Sequence, residues 1–317
     1  MNPFTANPQE SVAAWGEEKV IAAIRRWLGP ASPRAPFGIG DDCAVLAPSR
    51  GRQLITVDPV IFGQHFDDTI APKSVAEKLL KRNLSDLAAM GGRPVAAVLA
   101  LALDPRTKQL WLEKFYRGLA TCARRHRVAI VGGDIAQATG GLVASLTLLG
   151  ETTGPRVVTR TGPRVVTRTG ARTGDRIFVT GVLGGSLRSG HHFRFTPRLA
   201  EGRWLARQRD VRAMMDVSDG LAKDLRALTP RGCVPALVAA ALPLRAGCDV
   251  RAAVTDGEDY ELVFALARSA DSETFQRRWR RAFPRTRLSC IGHFVAERNP
   301  PADALKLSEY HGYEHLR

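Results

Sequence analysis

Clusters of acidic residues are the side chains in this sequence with the clearest capacity for chemistry. The first is the segment Gly-Ile-Gly-Asp-Asp, which ends in the adjacent carboxylates Asp41 and Asp42. Neighbouring carboxylates repel each other unless a cation lies between them, and glycine lets the backbone approach a ligand closely. Carboxylate oxygens are also ligands that Mg²⁺ prefers, often beside phosphates. The segment therefore favours magnesium-assisted phosphate chemistry, although a solvated turn is the simpler explanation when it is taken alone.

Two single carboxylates occupy positions that favour a cation. Asp58 follows the segment Gln-Leu-Ile-Thr-Val at 53–57, which predicts a strand ending at Asp58, and ligands gather at strand ends in layered α/β folds. Asp86 is predicted in the last turn of a helix that Pro72 opens and two glycines end. The helix dipole disfavours an anion there by ~0.3–1 kcal/mol. A cation beside Asp86 would offset this cost, and a salt bridge with Arg82 is the alternative.

Two further clusters are predicted at junctions between elements. Asp134 follows the apolar run 128–131 and two glycines, a pattern that suits either a phosphate-approaching loop or a plain β-turn. Asp216, Ser218 and Asp219 are predicted between a strand and the helix 221–228. Free backbone N–H groups at such a helix N-terminus can bind an anion. Ser218 can equally act as the N-cap residue of that helix.

The last acidic cluster is the most crowded. Asp256, Glu258, Asp259 and Glu261 lie within six residues, a density typical of a solvated loop, but an apolar strand is predicted to follow directly. The sequence has no P-loop, no Gly-x-Ser-x-Gly elbow, no zinc-protease helix and no Rossmann glycine pattern after a strand. Without a P-loop lysine, metal ions would have to supply the positive charge for phosphate chemistry.

The elements that position these residues suit two domains. A chain of 317 residues is too long for one ordinary core. Strands and helices alternate over the first half, which predicts an α/β (α+β) fold of two layered domains, with mixed sheets packed against helices. We expect a first domain over 1–150 and a second domain over 151–317. A perfect tandem duplication, residues 153–160 repeated at 161–168, lies at this boundary.

Composition limits the class of protein. The five cysteines have no metal-like spacing, which argues against a zinc site or a disulfide framework. Residues 1–19 lack an apolar signal-peptide core, and the apolar run 95–103 is too short to cross a bilayer, so a cytoplasmic location is expected. The net charge of +15 suits nucleic-acid binding in principle. Because the basic residues are scattered, attraction of anionic small substrates is favoured over nucleic acid.

The ordered set of motifs resembles the thiamine-monophosphate kinase family, within the aminoimidazole-ribonucleotide-synthetase-like superfamily. The motifs are Gly-Ile-Gly-Asp-Asp at 38–42, Asn-Leu-Ser-Asp at 83–86, Val-Gly-Gly-Asp at 131–134, Asp-Val-Ser-Asp-Gly at 216–220 and Gly-Glu-Asp-Tyr at 257–260. The resemblance implies transfer of a phosphoryl group from ATP to thiamine monophosphate, with several Mg²⁺ ions and a homodimer joined through the N-terminal domains. Direct transfer without a protein nucleophile is implied, so no catalytic residue is assigned.

The resemblance also implies roles for individual residues. The implied metal ligands are Asp42, Thr56, Asp58, Asp86, Asp134, Asp216 and Asp219. The implied ATP contacts are Gly133, Asp134, Arg168 and Ser218, with Arg168 preferred over Arg160 because it keeps the spacing to the strand that starts at Arg176. The implied substrate contacts are His65, Glu258 and Tyr310.

The sequence departs from the family pattern at several positions. Val57 replaces a hydroxyl residue before Asp58, Asp256 replaces a glycine, and Tyr310 replaces a tryptophan near the substrate. The segment 185–211 is also shorter than usual, which affects the substrate-side lid. Another ATP-dependent enzyme of the superfamily is the alternative within this class. A selenophosphate synthetase would need a catalytic cysteine before Cys43, and the sequence has none there.

Overall fold

The chain forms two packed units, one built mostly from its first half and one from its second. The computed structural model describes residues 1–40, 43–49, 51–152, 164–298 and 300–314. Unit 1 comprises Met1–Leu84 and Arg93–Glu151, and unit 2 comprises Ser85–Gly92 and Thr152–Arg317. The predicted residues Asp41, Asp42 and Arg160 lie outside the described part of the chain.

Unit 1 is a sheet packed with helices. Its sheet has the strand order β1-β4-β2-β3, in which β1 and β4 are antiparallel while β2 and β3 are parallel, so the expected mixed sheet is confirmed. The strands are β1 (Gln53–Ile61), β2 (Gly92–Leu103), β3 (Ala129–Gln137) and β4 (Leu142–Thr152). The helices are α1 (Gly16–Leu28), α2 (Pro72–Ala89) and α3 (Gln109–His126), with 3-10 turns at Pro8–Glu10, Val12–Ala14 and Gly29–Ala31. The last turn of α2 belongs to unit 2.

Helical spacing of apolar residues explains why α1 and α3 pack on this sheet. In α1 the residues Val20, Ile24 and Trp27 are buried on one face, as the sequence predicts. In α3 the rings of Trp111 and Phe115 are buried and stacked, with centroids 5.4 Å apart. These large rings contribute much of the apolar area that holds unit 1 together.

Three strand predictions in this half were inaccurate. Residues 43–46 form no strand; Val45 donates one backbone bond to Pro36 and is 52% exposed. Strand β1 continues past Asp58 to Ile61, because an edge strand tolerates Pro59, which has no N–H to donate. Strand β3 continues through its two glycines, because their backbones pair with β2.

Unit 2 is a five-stranded sheet of order β6-β8-β5-β9-β7. Every adjacent pair is antiparallel, so the mixed sheet expected here was wrong. Its strands are β5 (Arg176–Thr180), β6 (Val211–Asp216), β7 (Cys233–Leu237), β8 (Leu262–Leu266) and β9 (Leu288–Ala296). Its helices are α4 (Ser186–Ser189), α5 (His191–Arg194), α6 (Leu199–Ala206), α7 (Leu221–Leu228), α8 (Val250–Thr255) and α9 (Ser272–Ala282), with 3-10 turns at Ala239–Ala241 and Leu307–Glu309.

Both faces of the second sheet are buried. Ile177 and Val179 of β5 belong to one apolar cluster, and Phe178 between them belongs to the other. Side chains alternate across a strand, so β5 contributes side chains to both apolar clusters. Ala88 and Ala89, in the last turn of α2, pack into the second cluster. Among the described helices, none has the combination of length and apolar character required to cross a membrane.

Candidate active site

In unit 1, Thr56 and Asp58 lie on one face of the edge strand β1. They alternate with Ile55 and Val57, which are 72% and 58% exposed on the other face. Arg82 of α2 forms an ion pair with Asp58 at 3.3 Å and donates to the Pro59 carbonyl at 2.9 Å. The structure thus pairs Arg82 with Asp58. A carboxylate has further lone pairs, so Asp58 can hold a cation beside Arg82.

His65 lies in the turn that follows β1. Its Nδ1 accepts a hydrogen bond from the Ile61 amide at 3.2 Å, and its own amide donates to the Ile61 carbonyl at 2.9 Å. An accepting Nδ1 carries no proton, so the neutral ring keeps its N–H on Nε2. The position of His65 in the turn is therefore fixed by its two bonds to Ile61.

Gly133 and Asp134 lie on β3, within a strand instead of a loop. Together with Glu17, Ile21 and Ile39 they line a small cavity of about 120 Å³ in unit 1. A Cβ on Gly133 would lie 2.2 Å from the Leu99 carbonyl oxygen, so the glycine is required by the close approach of β2. Asp134 is exposed, and its carboxylate remains available to a ligand at this edge of the sheet.

The structure separates Asp58 from Asp134. They lie on β1 and β3, the two edge strands of the sheet, with β4 and β2 between them. Three strand spacings amount to roughly 14 Å along the sheet, whereas Mg²⁺ binds oxygen at about 2.1 Å. Within one chain, a single ion cannot therefore bind both carboxylates. Among the described residues no three His, Cys, Asp or Glu side chains gather as a metal site, although carboxylate oxygens suit Mg²⁺ chemically.

In unit 2, the end of β6 meets the last turn of α2. The Ser85 hydroxyl donates to the Asp216 carboxylate at 2.7 Å, and Asp216 is only 2% exposed. Asp86 follows Ser85 directly and is half-buried. The expected metal ligands Asp86 and Asp216 thus belong to adjoining segments of one unit.

The loop after β6 is held from within by Asp224. The backbone amides of Ser218 and Asp219 both donate to Asp224 Oδ2, each at 2.9 Å. Burial raises the pKa of Asp224 to about 6, while the two amides act to lower it. Asp224 thus occupies the amides of the two residues that precede the N-cap of α7. Ser218 is not the N-cap either, since Gly220 holds that position with φ 105°.

Asp219 is joined to the end of the described chain. Its carboxylate pairs with Lys223 Nζ at 2.6 Å, and the same Nζ donates to the Tyr313 carbonyl at 2.7 Å. The Tyr313 amide in turn donates to the Asp219 carbonyl at 2.8 Å. Residue Tyr310, the implied substrate contact, is half-buried against the core, and its carbonyl accepts from Arg226 at 3.2 Å.

Glu258 is held against the Ser218 loop. Its backbone N–H donates to the Ser218 carbonyl at 2.7 Å, and its Oε2 lies 2.9 Å from His192 Nδ1. Tyr260 Oη donates to Oε1 at 3.3 Å. The backbone of Glu258 has φ 65°, a left-handed conformation that costs energy for a residue with a Cβ. These contacts bring an implied ATP-contacting residue and an implied substrate-contacting residue into one hydrogen-bonded pair.

The simpler interpretation, in which the acidic segment 256–261 is a solvated loop, was wrong for its other acidic residues. Asp256 accepts from the Gly185 amide at 2.7 Å. Asp259 is fully buried, accepts from the Gly184 amide at 2.7 Å and pairs with Arg245 at 3.0 Å. Glu261 is 2% exposed and pairs with Arg198 through both of its oxygens. Each carboxylate has its own partner, so the segment is part of the core.

Arg168 follows a stretch that is anchored to β6. Val166 is 1% exposed in the second apolar cluster, and the Thr167 carbonyl accepts from the Met214 amide at 2.9 Å. Arg164 donates to the carbonyls of Gln208 and Val211. Arg168 itself is exposed, two residues beyond Val166. The described part of the second repeat is therefore fixed against the strand that carries Asp216.

Three residues in this region were missed by the sequence reasoning. Ser85 is part of the Asn-Leu-Ser-Asp motif, and the signal that could have identified it is its position immediately before Asp86. Asp224 lies in the first turn of α7, where acidic side chains commonly reach back to preceding amides. His192 carries no local signal, because its contact with Glu258 spans 66 residues.

Comparison with known proteins agrees with this architecture. Residues 40–152 match the sequence model of the AIR synthase related protein, N-terminal domain. Thiamine-monophosphate kinase from Rhodopirellula baltica is 35% identical over 255 residues, which is 74% of this chain and 77% of that protein. The crystal structure of thiamine-monophosphate kinase from Stenotrophomonas maltophilia superposes with a TM-score of 0.72 at 30% identity, covering 87% of this chain and 93% of that one. AaThiL complexed with AMPPCP and TMP gives a TM-score of 0.70 at 28% identity, covering 96% and 98%.

Residues 40–152 therefore define a protein with an AIR synthase related N-terminal domain. Within that class, the identity and coverage are high enough to assign the family. This chain belongs to the thiamine-monophosphate kinase family.

Proposed function

We propose that this protein transfers the γ-phosphoryl group of ATP to the phosphate of thiamine monophosphate. The observation that carries the proposal is the bond between the Glu258 amide and the Ser218 carbonyl, which joins the segments implied to contact substrate and nucleotide. The fold likeness to a relative that holds AMPPCP and TMP supports the same assignment. In this proposal, residues 1–150 provide the nucleotide and metal domain, and residues 151–317 provide the substrate side.

The reaction needs little covalent chemistry from the protein. An oxygen of the acceptor phosphate forms a bond to the γ-phosphorus, and the bond from that phosphorus to the β–γ bridging oxygen breaks, which gives thiamine diphosphate and ADP. The acceptor oxygen is already anionic, so no general base is required. The main obstacle is repulsion between two polyanions, which positioning and positive charge must overcome.

The residues of the chain have distinct tasks in this proposal. His65 is assigned to the substrate, and Arg168 offers a charged donor to the ATP phosphates. Glu258, held by His192 and Tyr260, faces the substrate. We assign no described residue as a nucleophile, so the phosphoryl group passes directly from ATP to the acceptor phosphate.

Magnesium is the part of the proposal that rests on the chemistry of the donors. Bound Mg²⁺ would neutralise phosphate charge and align the two substrates. Both units offer the hard oxygen ligands that Mg²⁺ requires. Unit 2 offers Asp86 and Asp216, and unit 1 offers either Asp134 or the pair Thr56 and Asp58. Asp219 can contribute beside Lys223, and Asp42 is the remaining implied ligand. Because Asp58 and Asp134 lie on opposite edges of a sheet, we assign them to different ions.

We further propose a homodimer joined through the first unit. The exposed face of β1 supports this, since Ile55 and Val57 leave apolar surface at a sheet edge. Unpaired apolar edges are commonly covered by a partner. Because the reaction consumes ATP, we place the enzyme in the cytoplasm.

The acceptor assay tests the proposal. Purified protein is incubated with ATP and Mg²⁺ and with thiamine, thiamine monophosphate, pyridoxal phosphate or ribose 5-phosphate as sole acceptor, and ADP release is measured. We expect rapid turnover with thiamine monophosphate alone, because thiamine would require a general base. Comparable turnover with thiamine, or with several phosphate monoesters, would contradict the assignment.

A further inference from the structure

A cavity of about 820 Å³ lies in unit 2, and no residue assigned to ATP or thiamine monophosphate is part of its described lining. Its walls come from the end of α7 and the residues after it, from β7, and from residues 300–302, 304–308 and 311. The volume is in the range typical of small-molecule sites. The proposed reaction does not use this cavity.

The composition of the walls indicates what it would bind. Apolar side chains dominate, among them Pro230, Val234, Pro300, Ala304 and Leu305. The charged residues of the lining are all basic: Arg226 and Lys306, with His311 beside them, and no carboxylate is part of the described lining. An apolar cavity with an exclusively basic rim complements a ligand with an apolar body and a single anionic group.

The cavity is separate from the Ser218 loop. That loop precedes the first residue of α7, whereas Arg226 and Thr229 lie at the far end of the helix. Eight residues of helix span about 12 Å at 1.5 Å per residue. A ligand in the cavity would therefore not occupy the position of the phosphates.

The two regions are nevertheless joined by one stretch of backbone. Arg226, which lines the cavity, donates to the Tyr310 carbonyl at 3.2 Å. Three residues further, Tyr313 is bonded through its amide to the Asp219 carbonyl and through its carbonyl to Lys223. A shift of the 304–311 wall would pull on Asp219 through these bonds.

We propose that this cavity is an effector site for a small amphipathic anion, and that its occupancy is transmitted to Asp219 through residues Tyr310–Tyr313. The matched dyes 8-anilinonaphthalene-1-sulfonate and N-phenyl-1-naphthylamine test the binding half, because they share an apolar body and only the first carries an anion. We expect one equivalent of the sulfonate to bind the full chain. Ala304→Phe fills the cavity and should weaken binding more than tenfold for both dyes.

Two further variants make the binding test specific. Ala240→Phe is the matched control, since Ala240 is exposed and outside the lining, and it should bind both dyes as the wild type does. Lys306→Ala, at an exposed side chain, should weaken the sulfonate about threefold to fivefold and leave the neutral dye unchanged. Equal binding of the sulfonate by wild type and Ala304→Phe would overturn the proposal, as would sedimentation showing that Ala304→Phe only disrupts self-association.

Hydrogen exchange tests the coupling half without relying on kinase activity. The amides of 218–223 should exchange at least twofold more slowly or more quickly when the sulfonate is bound, and Ala304→Phe should abolish the change. Binding without any change in 218–223 would overturn the transmission to Asp219. Since neither readout uses thiamine monophosphate, failure here is distinguishable from failure of the proposed kinase reaction.

Discussion

The hydroxyl of Ser85 and the carboxylate of Asp216 form a 2.7 Å hydrogen bond between residues 131 positions apart in the chain. Both groups are buried, so the bond joins the end of α2 to the end of β6 in a water-poor environment. It holds Asp216 against the segment that carries Asp86. Ser85, which the sequence did not single out, therefore positions Asp216, which it did.

Ser85→Ala should lower stability and activity together. The substitution leaves a buried carboxylate without this donor, which costs about 1–3 kcal/mol. Urea unfolding should show that loss, and the rate with thiamine monophosphate should fall. Ser269→Ala, at an exposed serine, is the control and should change neither quantity. Unchanged unfolding of Ser85→Ala would mean that the bond contributes nothing.

Asp86→Asn should abolish turnover while the fold persists. The substitution removes a carboxylate charge from the last turn of α2, where the helix dipole already disfavours an anion. Thermal stability without Mg²⁺ should therefore stay the same or rise. Asp68→Asn changes an exposed carboxylate of unit 1 and serves as the control. Full activity of Asp86→Asn at low Mg²⁺ would refute the metal-ligand assignment.

His192→Ala should impair use of thiamine monophosphate more than use of ATP. Glu258 loses the partner on its Oε2, while its backbone bond to Ser218 remains. We expect KM for the acceptor to rise about tenfold, which corresponds to ~1.4 kcal/mol, with KM for ATP nearly constant. His192→Asn keeps an N–H donor near the position of Nδ1 and should restore part of the loss. His293→Ala, at an exposed histidine, is the control. An equal rise in both KM values would instead indicate a general structural role.

The stability of the protein should depend on pH through His191. Burial, followed by the nearby Arg245, lowers the pKa of this imidazole from 6.5 to about 4. Between these values the unfolded chain binds the proton and the folded chain does not, so the unfolding free energy falls as pH drops from about 6.5 to about 4. In His191→Gln this contribution to the fall in unfolding free energy should be absent. Urea unfolding measured between pH 4 and 7 tests this.

Asp259 should act in the opposite direction over a similar range. Burial raises the pKa of its carboxyl from 3.8 to about 6, against the opposing effects of the Gly184 amide and Arg245. The folded chain then binds the extra proton, so this contribution to stability is present below pH 4 and is lost as pH rises to about 6. Asp259→Asn should make the unfolding free energy rise more steeply with pH than in the wild type. A slope unaffected by either variant would show that neither group titrates as described.

The duplicated segment predicts unequal roles for two arginines. Arg168 follows a stretch fixed to β6 through Val166 and Thr167, so it should be the residue that contacts ATP. Loss of one charged phosphate bond costs about 1.5–3 kcal/mol, so Arg168→Ala should weaken AMPPCP binding more than tenfold in calorimetry. Arg160→Ala should bind as the wild type does, and deletion of 153–160 should preserve fold and activity. A larger loss for Arg160→Ala would show that the assigned register is wrong.

The sequence by itself determined the local elements and the family. Helical spacing of Val20, Ile24 and Trp27 determined α1, and Pro72 with the two glycines bounded α2. The ordered acidic motifs determined the family. Such signals are local or linear, so they can be read without knowing which segments meet.

Tertiary structure alone decided the partners of the acidic residues. Asp224 accepts from the amides of Ser218 and Asp219, Arg82 pairs with Asp58, and His192 contacts Glu258. It also decided that Gly133 lies inside a strand, because β2 supplies a parallel partner for it. Hydrogen bonds and ion pairs depend on distances of a few ångström between residues far apart in sequence. No periodicity or spacing encodes those distances, so only the packed chain fixes them.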